Sequence, residues 1–330
     1  MSKRMNAIAL IYLFSFLARN VSAGNLDISA HLFPIKSETD SSPAYLLNLS
    51  DLNLDKAALK KFIKAIQEKK LENFVINLNL SKNHLKELPS KLAVFSEIRA
   101  LNLSNNLLKK FPKILNSFPK LKELDLSQNG IKNLRTFPLM PKIKTLRIGI
   151  NPITDLSQFS KFPNLEKLFI YELPIATIQG LPNLTFLTNL DLDNCKLTNF
   201  KGMPHFGKLE WLLARNNGLE TLEGLPDLST LKYLFLASNQ LITLDHLPEL
   251  KSLESLVLSQ NKLKKLHGIE SLSHLKILTL DDNSDILDLS PVYSLTGLQR
   301  LSLLNLSAKI SFSEKEELKA KFPNTSISGF

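Results

Sequence analysis

An asparagine, or a residue in its place, recurs every 22 or 23 positions through most of the chain: Asn83, Asn106, Asn129, Asn151, Leu173, Cys195, Asn217, Asn239, Asn261 and Asn283. Each lies inside a frame L-x-x-L-x-L-x-x-N-x-L, as in Leu231, Leu234, Leu236, Asn239 and Leu241. In L-x-L, the two leucines point to one side of a strand and the residues beside them to the other. A single strand of this kind cannot bury its leucines. Stacking about eleven of them makes a parallel sheet backed by one continuous apolar core. The asparagine falls where the chain leaves the strand. There its amide both donates and accepts, giving partners to peptide groups that the turn would otherwise bury unsatisfied. The asparagine column is therefore expected to be structural.

Departures from the frame predict local differences. Cys195 is a small residue with a weak S–H donor and suits a buried position in the column. Leu173 carries no polar group, so the turn there must close in another way. Asp285 occupies an apolar place and Ile286 follows it, which marks a one-residue insertion before the register resumes at Leu298, Leu301 and Leu303. The return segments carry Phe118-Pro119, Phe137-Pro138, Phe162-Pro163, Leu181-Pro182, Met203-Pro204, Leu225-Pro226 and Leu247-Pro248 at nearly equivalent places. Proline lacks a donor and fixes φ, so these segments are expected as short 3₁₀ or extended pieces and not as long helices.

The frame resembles the leucine-rich-repeat family. The 22-residue period with its G-[LM]-P-x-[LF] return is similar to the SDS22-like subclass, and Asp288-Leu289-Ser290-Pro291-Val292 is similar to bacterial internalins. The earlier repeats, with Leu88-Pro89 and Phe111-Pro112, are closer to the general type. The resemblance implies an α/β class fold: a curved leucine-rich-repeat solenoid with a parallel concave sheet and a convex side of short segments.

The ends read as helical caps. Asp55 is placed to N-cap a helix with Leu59, Phe62, Ile63 and Ile66 on one face and most of Lys60, Lys61, Lys64, Lys69 and Lys70 on the other. Near the C-terminus Ser313 and Glu316 read as a capping box, Leu318 and Phe322 as an apolar stripe, and Pro323 as the stop. The expected organisation is a leader at 1–23, a flexible segment at 24–43, an N-terminal cap at 44–74, repeats over 75–306 and a C-terminal cap at 307–330. The solenoid is expected as one domain without an internal linker.

Lys3 and Arg4 precede the apolar run Ala7–Ala18, and Val21-Ser22-Ala23 supplies small residues at its end, the order of a secretory signal peptide cleaved after Ala23. The run is short for a membrane span. Cys195 is the sole cysteine, so no internal disulfide forms, and a bacterial or parasite exported protein fits better than a disulfide-capped animal or plant one. The expected location is secreted, periplasmic or cell-surface, with no transmembrane segment after leader removal. Lysine and arginine outnumber aspartate and glutamate by 41 to 31, for a net charge of +10. The lysines are scattered through turns and the first helix. A solvated face accounts for them, and no nucleic-acid motif accompanies them.

No enzyme motif is present: His31, His84, His205, His246, His267 and His274 show no metalloprotease pairing, and neither G-x-S-x-G nor a phosphate-cradling loop occurs. Asp281-Asp282-Asn283-Ser284-Asp285 lacks the glycine and the twelfth acidic ligand of a calcium loop, since Val292 stands there. The expectation is a non-enzymatic, monomeric binding protein with no catalytic residue, cofactor or metal.

Binding is then sought on the sheet face opposite the leucines. Early strands offer Asn77, Asn79, Ser81, Ala100, Asn102, Ser104, Glu123, Asp125 and Ser127, which are small or polar. Later strands offer Phe169, Tyr171, Trp211, Leu213, Tyr233, Phe235 and Val257, with Asp191, Asp193 and Arg215 among them and Arg147 beside them. Strands about 5 Å apart make this one apolar patch. Such patches mark partner sites, and Trp, Tyr and Arg dominate binding hot spots. The competing reading is that the aromatics only pack on one another. The resulting expectation is a protein partner held by the aromatics, with the charged residues setting orientation. The SDS22 resemblance implies instead a phosphatase regulatory subunit, with Phe169, Asp191 and Phe235 as contacts. A cell-surface binder of glycan or anionic lipid is the third reading.

Overall fold

The computed structural model describes residues 28–35, 44–306 and 310–329; the leader and cleavage site expected from the sequence lie outside the described residues. Packing divides the chain into two compact units, residues 1–130 and 131–330.

In the first unit, strands β1 (Leu32–Ile35), β2 (Ala44–Asn48), β3 (Val75–Asn79), β4 (Ala100–Asn102) and β5 (Glu123–Asp125) succeed one another in the sheet. β1 runs antiparallel to β2, and β2 to β5 are parallel. Within the segment expected as flexible over 24–43, the described residues 32–35 form β1. Leu32 pairs with Leu47 and Ile35 with Ala44, so this stretch covers the sheet edge that β2 would otherwise leave unpaired. Helix α1 (Lys56–Glu68) forms as its sequence dictates. Asp55 accepts from the Ala58 N–H at 2.8 Å, and Leu59, Phe62, Ile63 and Ile66 are buried.

In the second unit, β6 (Thr145–Arg147), β7 (Lys167–Phe169), β8 (Asn189–Asp191), β9 (Trp211–Leu213), β10 (Tyr233–Phe235), β11 (Ser255–Val257), β12 (Ile277–Thr279), β13 (Arg300–Ser302) and β14 (Ser326–Ser328) follow in chain order, all parallel. The central leucine of each strand from β6 to β13 is fully buried. Trp211 pairs with Tyr233, and Tyr233 with Ser255, a step of one 22-residue repeat. The insertion at Asp285 appears as a longer step from Ile277 to Arg300, with Asp285 exposed and Ile286 buried. Return segments are 3₁₀ turns, such as Leu156–Lys161 and Ser290–Ser294, or irregular chain.

Helix α2 (Phe312–Lys321) starts two residues earlier than its sequence suggested. The capping box is formed by Ser311 and Glu314, not by Ser313 and Glu316. Placing Ser311 at the cap puts Leu318 against the core and leaves Phe322 at the helix end, buried. The chain then adds β14 beside β13, a strand that the leucine frame does not announce because only Ile327 supplies an apolar residue.

The asparagines act as ties between coils. The Asn261 Nδ2 group donates to the Leu236 oxygen at 3.0 Å and the Leu258 oxygen at 2.9 Å, while its Oδ1 accepts from the Leu241 N–H at 3.1 Å. Asn239 and Asn283 repeat the pattern one coil either side. Cys195 is buried and keeps the donor half, its Sγ lying 3.3 Å from the Ile170 oxygen, the acceptor that the column geometry assigns it. It offers no amide oxygen. The Ile175 N–H, which would meet an asparagine there, bonds instead to the Leu173 oxygen at 2.8 Å. Burial pushes the Cys195 thiol up to about 12, so it stays protonated.

The residue before each column member adopts a left-handed conformation, from Lys82 (φ 54°) to Asp282 (φ 58°). Asparagine fills it at 105, 194 and 216 and tolerates it well. Ile150 (φ 53°) does not, being β-branched.

Candidate partner-binding site

The residues singled out for partner binding lie in the second unit, on or just beyond β7, β8, β9, β10 and β11, with Arg147 beside them on β6. The alternation of the strands decides their direction: Leu212 and Leu234 enter the core, so Trp211, Leu213, Tyr233 and Phe235 emerge on the open face, each half-buried. Register then sets neighbours. Trp211 stands beside Tyr233, and Leu213 beside Phe235, which in turn stands beside Val257.

The aromatic rings interlock. Trp211 and Tyr233 stack with centroids 3.8 Å apart and planes 22° from parallel, and Trp211 faces Phe235 at 6.2 Å and 14°. The competing sequence reading, that the rings pack on one another, is thus met in geometry. It does not remove the patch, because the stack leaves each ring partly open. A pile of rings already held in place also has less freedom to lose when something docks on it.

Phe169 and Tyr171 lie on the β6 side of the same face. The Arg147 guanidinium sits 4.6 Å over the Phe169 ring. Tyr171 rests on Gly149: a Cβ there would fall 2.5 Å from the Tyr171 carbonyl oxygen and 2.8 Å from ring carbon Cδ1, so only glycine leaves room.

Asp191, Asp193 and Arg215 separate into two functions. Asp193 is buried and holds Arg215 in a fork, with Nε at 2.8 Å and Nη2 at 2.6 Å from one carboxylate oxygen; the other oxygen accepts from the Arg215 N–H at 2.7 Å. This hydrogen bonding holds the Arg215 pKa above its ordinary value. Asp281 uses its carboxylate in the same way, accepting from the Leu304 N–H at 2.8 Å and the Ser302 hydroxyl at 2.6 Å. Asp191 differs. Its carboxylate accepts from the Asp193 N–H at 3.0 Å, and burial pushes its pKa up to about 6.

One exposed aromatic escaped the sequence reading. Phe186 is flanked by the ammonium groups of Lys208 at 4.8 Å and Lys144 at 5.5 Å. The repeat alignment held the signal: Asn164, Lys208, Thr230, Ser252 and His274 occupy its place in other coils, so an aromatic there is out of pattern. Lys144 also pairs with Glu166, and the pairs Lys232–Glu210 and Lys276–Glu254 stand at the same position before their strands. These exposed pairs each add little stability. Among the described residues, no group of three or more His, Cys, Asp or Glu side chains is placed to hold a metal ion. Nor is any helix among them long and apolar enough to cross a membrane.

A family pattern described as Leucine Rich repeats (2 copies) matches residues 119–161. An internalin from Listeria monocytogenes superposes with a TM-score of 0.59 at 26% identity, covering 70% of this chain and 68% of that one. This is a leucine-rich-repeat fold. A leucine-rich-repeat protein of Leptospira interrogans aligns at 21% identity and a TM-score of 0.55, over 86% of this chain and 95% of its own. In the Drosophila Toll–Spatzle complex the match has a TM-score of 0.62 at 19% identity, over 86% of this chain and 46% of that one. These last two likenesses concern the fold alone. No curated protein matches the sequence significantly.

Proposed function

We propose that this is an exported, non-enzymatic leucine-rich-repeat protein that binds a protein partner through the open face of β7 to β11. The observation that carries the reading is the stack of Trp211, Tyr233 and Phe235 on strand positions where neither the core nor the backbone turns need an aromatic. Leu213 and Val257 extend its apolar surface, and Phe169 and Tyr171 flank it across β8. Arg215, fixed on Asp193, gives the rim a rigid charge that orients a partner. The likeness to an internalin supports an interaction role, and the arrangement of Lys3, Arg4 and the apolar run after them supports export.

The test is a paired pull-down from culture supernatant and cell extract, using the chain from residue 24 onward as bait. A protein retained by the native bait and released by Trp211→Ala, with an unchanged circular dichroism spectrum, supports the assignment. Retention indifferent to Trp211→Ala rules it out. Purified phosphatase catalytic subunit, polysaccharide and anionic vesicles serve as competing ligands, one for each rival reading. Sequencing the N-terminus of the natural product separates export from residence: a chain starting at Gly24 supports export, and an intact Met1 contradicts it.

A further inference from the structure

Asp191 carries a charge that its structural task does not require. Three strands of the first unit perform that task at the equivalent position: Asn79 accepts from the Ser81 N–H at 3.0 Å, Asn102 from the Ser104 N–H at 2.9 Å, and Asp125 from the Ser127 N–H at 2.9 Å. A neutral asparagine therefore closes this turn as well as an aspartate. At Asp191 the neighbours in register are Phe169 on one side and Leu213 on the other, so the carboxylate stands between two apolar side chains. An ionised group so placed loses hydration, and the nearest cation, Arg215, offsets only part of that cost. The adjacent cation is otherwise engaged, since Arg215 is forked onto Asp193. No side chain donates a hydrogen bond to Asp191 among the described residues, and the residue is half-buried.

We propose that the partner bound on this face presents a lysine or arginine side chain to Asp191. The aliphatic stem of that side chain lies against Phe169 and Leu213, and Trp211 and Tyr233 receive the apolar residues beside it. Charge complementarity selects this occupant: a basic head supplies the missing cation, and a long apolar stem matches the walls. The sheet already shows a guanidinium resting on an aromatic of this face, in Arg147 over Phe169 on the strand beyond β7. The raised Asp191 pKa agrees with a desolvated carboxylate awaiting a cation. The ionisable groups that act on it are Asp193 from its own coil and Arg215 from β9, and Asp191 in turn acts on the Cys195 thiol. Of these, Arg215 opposes an incoming cation, and Asp193 matches its charge.

The inference rests on the proposed function, and one experiment separates their failures. A random peptide library displayed on phage is selected in parallel on the native chain, on Asp191→Asn and on Trp211→Ala. Asparagine keeps the turn, as Asn79 and Asn102 show, so Asp191→Asn folds. Peptides with lysine or arginine next to apolar residues should be enriched on the native chain and not on Asp191→Asn. Synthetic copies should lose about tenfold or more in affinity when arginine is replaced by citrulline. Trp211 is the only tryptophan, so its fluorescence reads the binding directly. Apolar peptides enriched equally on the native chain and Asp191→Asn, without basic residues, overturn the cation inference and leave the patch standing. Basic peptides that bind Asp191→Asn as well as the native chain also overturn it. No enrichment over Trp211→Ala overturns both.

Discussion

Asn79, Asn102 and Asp125 stand at the same strand position as Phe169, Leu213, Phe235 and Val257, one set in the first unit and the other in the second. The first set turns its side-chain oxygens back onto its own backbone, closing the turn that follows the strand. The second set gives up that bond and presents apolar surface. A repeat needs the leucines and the column asparagines everywhere, whereas this position is free. Asp191 falls between the two sets: it keeps the turn bond yet sits in apolar company.

The sharpest way to break this comparison is to show that the column asparagines are as dispensable as the face residues. Replacing Asn261 with alanine strips one N–H acceptor and the donor to two backbone oxygens, one in the preceding coil and one in its own, leaving buried peptide groups unpaired. The expected loss is about 3 kcal/mol or more in urea denaturation, from several unsatisfied groups at about 1–3 kcal/mol each. Cys195→Ala, which removes only a weak S–H contact, should cost about 1 kcal/mol.

Asp191→Asn tests the intermediate position. The folded Asp191 pKa, about 6, stands above the ordinary carboxyl value of 3.8, so the folded state favours the protonated form. Its contribution is fully favourable below the unfolded value and is lost as pH rises through about 6. The variant should therefore be more stable than the native chain above pH 7 by about 1–2 kcal/mol, after allowing for solvent screening, and the difference should shrink toward pH 4. Thermal melts across pH 4–8 check this. A constant difference would show that burial of the charge is not the cause.

Phe235→Asn converts one set into the other. The new amide has the Ala237 N–H within the geometry that Asn79 uses for Ser81, while the contact with Trp211 is lost. The two changes oppose each other, and the net effect on stability is expected within about 1 kcal/mol. Urea titration of the variant measures it. A loss of several kcal/mol would mean that the aromatic stack holds the sheet together and is not chiefly a surface feature.

Much of the fold was legible because the repeat states the same local rule many times. Leu212, Leu234 and Leu256 each had one possible direction, and Asp55 and its apolar face marked α1 without ambiguity. The insertion at Asp285 was readable for the same reason, as a break in a known beat. The ends were less so. β1 and β14 carry no leucine frame; they form because an adjacent strand offers unpaired peptide groups, a cause that lies in tertiary structure. The capping box was displaced by two residues because Ser311 and Glu314 share the S-x-x-E spacing of Ser313 and Glu316, and the folded chain uses the first pair. On the open face, the identities of the outward residues followed from alternation. What alternation does not fix is how they engage one another. The Trp211–Tyr233 stack and the Asp193–Arg215 fork are side-chain conformations, decided by neighbours one repeat away.

The central claim is that the face around Trp211, and not the polar face of β3 to β5, is where a partner binds. Calorimetric titration of the captured partner against Trp211→Ala and Asn102→Ala tests it most directly. Trp211→Ala should weaken binding by about 30-fold or more, the equivalent of about 2 kcal/mol, while Asn102→Ala leaves the affinity unchanged. Equal affinities for the native chain and Trp211→Ala, or a larger loss at Asn102, would contradict the account.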